Sequence, residues 1–191
     1  MEKIKGLFEK QIVQKLFLCF WMYAMIGWYY EVIIEQFFKP WEPTNRGEMF
    51  GPYCPIYGLG ALVFLLCFGK LMKKKDVKWL NIVKPLIIFL GCMAVATTIE
   101  LIATYIFEYT KGSWPWQTYK EYKYNFQARI ALNTSVRFGL GGVFFMYAVQ
   151  PFFDWILKKP GKKLLNALAV SVLGIVIADE LFTKFIMPEL I

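Results

Sequence analysis

The chain has 191 residues, of which 58% are hydrophobic and 19% aromatic, with a formal net charge of +8 and no histidine. That apolar share exceeds what a soluble domain carries, and the apolar residues come in runs of about 20, the length that crosses a bilayer. Without histidine there is no Ser-His-Asp or Cys-His arrangement, and without a GxxxxGK[ST] phosphate loop the chain cannot be its own ATPase.

The positive charge could suggest nucleic acid, but its placement argues otherwise. Fourteen of the 22 basic residues fall in three segments: Lys3 to Lys15, Lys70 to Lys84 and Lys158 to Lys163. These are alternate loops between apolar runs, as the positive-inside rule requires. The lysines therefore read as topology signals facing anionic headgroups, with the N-terminus cytoplasmic and the C-terminus outside. Cys19, Cys67 and Cys92 lie in apolar runs and Cys54 stands alone. No CxxC pair indicates zinc or a disulfide framework.

In chain order, the first span is 16–38, rich in Phe, Trp and Tyr. Pro40, Pro43, Gly47, Gly51 and Pro52 then break the helix. The second span, 53–72, is short and opens on Pro and Gly, so part of the preceding loop is expected to dip back into the protein. The third span is 85–107, taken to start at Pro85. The loop 108–129 mixes Trp114, Trp116, Tyr119, Tyr122 and Tyr124 with charges, which suits a segment at headgroup level. The fourth span is 130–157, long enough to tilt, and the fifth is 164–187. The expectation is one all-α transmembrane domain, a polytopic bundle of about five helices.

Charges inside these spans are the candidate site. Glu31, Glu100 and Asp179 each lie fifteen residues beyond the cytoplasmic edge of a span, at Leu16, Pro85 and Leu164. Arg137 enters another span from the opposite edge. At about 1.5 Å rise per residue, all four fall in one layer, with Glu180 beside them. A charge there costs at least a few kcal/mol unless it faces a partner or a wet cavity. Arg137 is expected to contact Glu100, Glu31 or Asp179, and the acids outnumber it.

A second candidate is Asn45-Arg46-Gly47 with the run Gly51 to Gly58. Its irregular backbone could bind a solute, and Asn45 or Arg46 is expected to reach the pocket of Glu31. A faint parallel two-helix repeat is also present. Glu31, Asn45-Arg46 and Gly58-Leu59-Gly60 are matched by Glu100, Asn125 with Arg129, and Gly139-Leu140-Gly141. By that repeat, Asn125 and Arg129 should approach Glu100. Small residues Ser135, Gly139 and Gly142, and Gly58 with Ala61 or Gly60, read as helix-packing positions.

The run Ile26-Gly27-Trp28, Glu31, Asn45-Arg46-Gly47 and Gly51-Pro52-Tyr53-Cys54-Pro55-Ile56-Tyr57-Gly58-Leu59-Gly60 resembles the CmpB-like, ABC-transporter type IV family of bacterial multi-span membrane proteins. The likeness continues through Glu100, Trp114-Pro115-Trp116, Asn125, Arg129 and Pro151. The chain departs from that family's pattern at Glu48, where a large apolar residue is usual, at Ala128, where Gly is usual, and at Phe138, where Trp is usual. The resemblance implies a bacterial plasma-membrane protein.

The reading is a multi-pass transporter or permease for a small polar or charged solute, with Glu31, Asn45, Arg46, Glu100, Asn125, Arg129, Arg137, Asp179 and Glu180 as candidates. No catalytic or metal-ligating residue is assigned, and no cofactor is specified. Expected partners are the lipid bilayer and a second copy, or another membrane or ATPase subunit, and not nucleic acid. The alternatives are a non-transporting scaffold or accessory subunit and, behind it, an enzyme acting on lipid headgroups.

Overall fold

The computed structural model describes residues 2–38, 49–74 and 78–187, with side chains described for 11–33, 49–74 and 79–187. The fold is all-α. The helices are α1 (Glu2–Phe38), α2 (Pro55–Lys73), α3 (Lys78–Lys111), α4 (Leu132–Phe144), α5 (Gln150–Ile156) and α6 (Lys162–Ile186). Between α3 and α4 lie a 3-10 turn (Gln117–Glu121) and a minimal hairpin, β1 (Asn125–Phe126) and β2 (Ile130–Ala131), paired antiparallel with Phe126 opposite Ile130. Five stretches among the described residues are long and apolar enough to cross a membrane: Gln11–Ile33, Pro55–Lys73, Trp79–Lys111, Leu132–Ile156 and Lys162–Ile186.

Proline placement explains the helix edges. Pro55 opens α2, where its missing N–H is no loss. Pro85 does not open α3, as expected from the sequence, but lies inside it. The helix begins at Lys78, because the apolar residues Trp79, Leu80, Ile82 and Val83 already favour burial in lipid. The buried Lys84 beside it donates to the Lys74 carbonyl at the end of α2 and to Asn81 Oδ1 (3.0 Å). This lysine therefore serves as a helix cap. In the fourth span, Pro151 cannot donate to the carbonyl four residues back. The helix absorbs the defect in a π-turn, Phe145–Val149, between α4 and α5.

The chain forms two compact units, residues 1–62 with 152–191 and residues 63–151. In the first, α1 packs on α6. Tyr23 and Ala24 are fully buried, and the Tyr23 ring lies 5.0 Å from that of Phe153. In the second, α3 packs on α4 around Phe64, Ile88, Cys92 and Met146. Ser135, Gly139 and Gly142 all lie on the buried face of α4, so the small residues do bring helices together. On α6, by contrast, only Leu165, Val176 and Thr183 are buried. Its exposed leucines and isoleucines suit lipid as solvent.

Candidate functional site

Glu31, Asp179 and Glu100 are each held by a tyrosine hydroxyl. Glu31 accepts from the hydroxyl of Tyr57 on α2. The approach depends on Gly27, one turn before Glu31 on the same face of α1. A Cβ at Gly27 would collide with the Tyr57 ring. Asp179 on α6 accepts from the Tyr53 hydroxyl at 2.5 Å and from the Gly51 N–H at 3.2 Å. The Phe50 N–H donates to Thr183 Oγ1 at 3.1 Å, one turn further along α6. The irregular segment before α2 is thus stitched to α6 by its backbone as well as by Tyr53. Asn45 and Arg46 lie outside the described residues.

Glu100 belongs to the second unit. Its Oε1 accepts from the Tyr119 hydroxyl at 2.7 Å. Burial pushes the Tyr119 phenol well above its usual range; the Thr134 hydroxyl opposes this and the Glu100 carboxylate adds to it. Tyr119 therefore stays protonated and remains a donor. Glu100 Oε2 is buried and has no hydrogen-bond partner. One turn earlier on α3, Thr97 donates to Ser135 Oγ at 2.7 Å, and Ser135 donates to the Ala131 carbonyl at 3.0 Å.

The structure corrects the expected role of the arginines. Arg137 is exposed on α4 and forms no hydrogen bond or ion pair among the described residues of its unit. It stands two residues from both Ser135 and Gly139, about 200° around the helix from each, so it faces away from the packed surface. Arg129 is the buried arginine, 7% exposed, but its partner is Glu108 at 2.6 Å and not Glu100. Its guanidinium lies between the rings of Tyr105 (4.2 Å) and Trp114 (4.3 Å), a doubly stacked arrangement suited to a desolvated cation. The indole N–H groups of Trp114 and Trp116 donate to the carbonyls of Ala128 and Arg129, both at 3.0 Å.

Asn125 likewise does not approach Glu100. It accepts from the Ala128 N–H (3.0 Å) and donates to the Tyr122 carbonyl (2.7 Å), bracing the hairpin turn. Gln127 and Ala128 occupy that turn with φ of 52° and 56°. Two positive φ values in succession mark a turn that favours glycine. Glu180 is exposed and pairs with Lys184 four residues on, an ordinary surface contact.

With three span acids held by Tyr53, Tyr57 and Tyr119, the geometry can be set beside known families. The profile of Putative ABC-transporter type IV, ABC_trans_CmpB, matches residues 18–184. The chain belongs to this family. The match reaches all five apolar spans, leaving out 11–17 of the first and 185–186 of the fifth, and covers every acid described above. Comparison with curated proteins and with solved structures gives no match. The family therefore supplies a multi-pass membrane protein related to ABC transporters, and the details must come from this chain's residues.

Sequence reasoning missed the tyrosines and Glu108. Tyr53 and Tyr57 are spaced as i and i+4, but they were read as part of an irregular loop. Tyr119 was read as one member of an aromatic belt. No charge pattern signals a neutral hydroxyl partner, whereas Glu108 three residues beyond Tyr105 does place an acid and a ring on one helix face.

Proposed function

We propose that this protein is a permease-type subunit that binds and passes a small polar or charged solute at its span acids, Glu31 and Asp179 in one unit and Glu100 in the other. The observation that carries the reading is that none of these acids meets a lysine or arginine among the described residues. Each has a tyrosine hydroxyl instead. A structural ion pair would consume the charge, as Arg129 and Glu108 do. An acid held by a neutral donor keeps its negative charge for a ligand.

The lysine-rich segments support an N-in, C-out orientation in a bacterial plasma membrane. The parallel repeat gains support from two equivalent contacts. A Cβ at Gly58 would meet the carbonyl of Phe20, and one at Gly139 would meet the carbonyl of Phe89. Phe20 and Phe89 each stand eleven residues before the acids Glu31 and Glu100. The absence of a phosphate loop calls for a separate ATPase if transport is ATP-driven. Arg137, exposed on an apolar span, suits an acidic partner helix from a second copy or another membrane subunit.

The test is solute-induced current in proteoliposomes on a solid-supported membrane, across a panel of amino acids, sugars and polyamines. At least one solute should give a current with the parent protein, and folded Glu31→Gln and Glu100→Gln variants should lose it. Undiminished currents in both variants would make the acids structural and the protein a scaffold.

A further inference from the structure

The polar groups around Glu100 are hydroxyls. Its Oε1 accepts from Tyr119, and one turn earlier on α3 Thr97 donates to Ser135 on α4, which donates to the Ala131 carbonyl. Thr97 gives its single hydrogen to Ser135, so its lone pairs remain available. Glu100 Oε2 is out of contact with solvent and has no donor. A carboxylate oxygen left in that state inside an apolar span is costly.

Among the described residues of this unit, charges that could neutralise it are engaged or turned away. On α3, Glu108 is another acid and is bound to Arg129. In the loop before α4, the titratable neighbour is Tyr119, a donor to the other oxygen. On α4, Arg137 is exposed and unpaired in its unit. No cluster of three or more His, Cys, Asp or Glu occurs among the described residues. One carboxylate balances one positive charge, and oxygen-only donors select hard cations over transition metals.

We propose that Glu100 Oε2 binds one small monovalent cation, a proton or an alkali ion. The proposal rests on the permease reading only for its purpose. A cation here sets the charge that a solute meets at Glu100, and its exchange supplies a means of coupling.

The experiment reads binding without transport. Purified protein in detergent is titrated with NaCl, LiCl and KCl against choline chloride at constant ionic strength, following the midpoint of thermal unfolding. In choline alone, infrared difference spectra between alkaline and acidic buffer report a protonated carboxyl group. Binding raises the midpoint saturably, since a ligand of the native state stabilises it. An alkali-specific rise identifies the ion as the occupant; a carboxyl band without such a rise identifies the proton. Glu100→Gln should abolish whichever signal the parent gives. Tyr119→Phe should strengthen it roughly tenfold, because the bare carboxylate loses a stabilising donor. A merely structural tyrosine would not move the affinity in that direction.

A parent protein with neither signal, or a Glu100→Gln variant that keeps the signal, overturns the proposal. If Glu100→Gln does not fold, unchanged or weakened affinity in Tyr119→Phe overturns it instead. A parent that transports without cation binding defeats this site and leaves the permease reading intact. Cation binding without any transport does the reverse.

Discussion

The second unit holds Arg129 and Glu100, charges of opposite sign, in different ways. Arg129 is closed on both faces by aromatic rings and joined to Glu108. Glu100, two turns before Glu108 on the same helix, has a tyrosine on one oxygen and nothing on the other. The first unit repeats the second pattern and lacks the first: Glu31 and Asp179 are held by tyrosines, without a cation among the described residues. The chain could build a cation cage where one was wanted. It stands at the loop corner between α3 and α4, which it pins, while Glu31, Glu100 and Asp179 meet no cation among the described residues. The comparison separates charge used for architecture from charge kept available.

The largest expected effect comes from opening the cage. Glu108→Gln leaves a guanidinium, 93% buried by its 7% exposure, without an anion. Because Glu108 is half in solvent, the loss should be about 2–3 kcal/mol, below that of a fully buried pair. Reversible denaturation in mild detergent would show it, and a loss under about 0.5 kcal/mol would mean the pair is a surface contact. Next is Gly27→Ala. The added methyl displaces Tyr57, so the variant should lose about 1–3 kcal/mol and weaken the Glu31 contact. Tyr57→Phe measured alongside should cost less, because it removes the hydroxyl without overpacking.

A smaller effect, of favourable sign, is expected at Ala128. Its φ of 56° lies in the left-handed region. Ala128→Gly should raise stability by about 0.5–1 kcal/mol, the relief of strain less the greater entropy of unfolded glycine. A decrease on unfolding would show that the turn is not left-handed in the native protein. The smallest effect is at Arg137. Since it is exposed and faces away from the packed side of α4, Arg137→Gln in the isolated protein should stay within about 0.5 kcal/mol of the parent.

The contrast between the arginines shows what was readable in the sequence. Apolar runs and lysine spacing mark all the spans, because bilayer thickness fixes their length. Ser135, Gly139 and Gly142 define the packed face of α4, and the same helical geometry puts Arg137 on its far side. Depth alone suggests that Arg137 meets the acids; facing shows that it does not meet Glu100 within its unit. Ala128, a departure from the family's usual glycine, marks the turn whose backbone requires positive φ. The tyrosine partners were hidden for a different reason. A phenol carries no charge signal, and Tyr119 reaches Glu100 only after a 3-10 turn and a hairpin have folded a loop whose path depends on Trp114 and Trp116 bonding to backbone carbonyls. Pro85 misled for the opposite reason, as a break signal overridden by the lipid-facing residues before it.

The claim that tyrosine, rather than arginine, holds the span acids is tested most directly by paired double-mutant cycles on unfolding free energy. One cycle combines Glu100→Gln with Tyr119→Phe, the other Glu100→Gln with Arg137→Gln. The first should give a coupling of about 1–2 kcal/mol, in the range of a hydrogen bond to an ionised group, and the second a coupling near zero. A larger coupling to Arg137 than to Tyr119 would contradict the account.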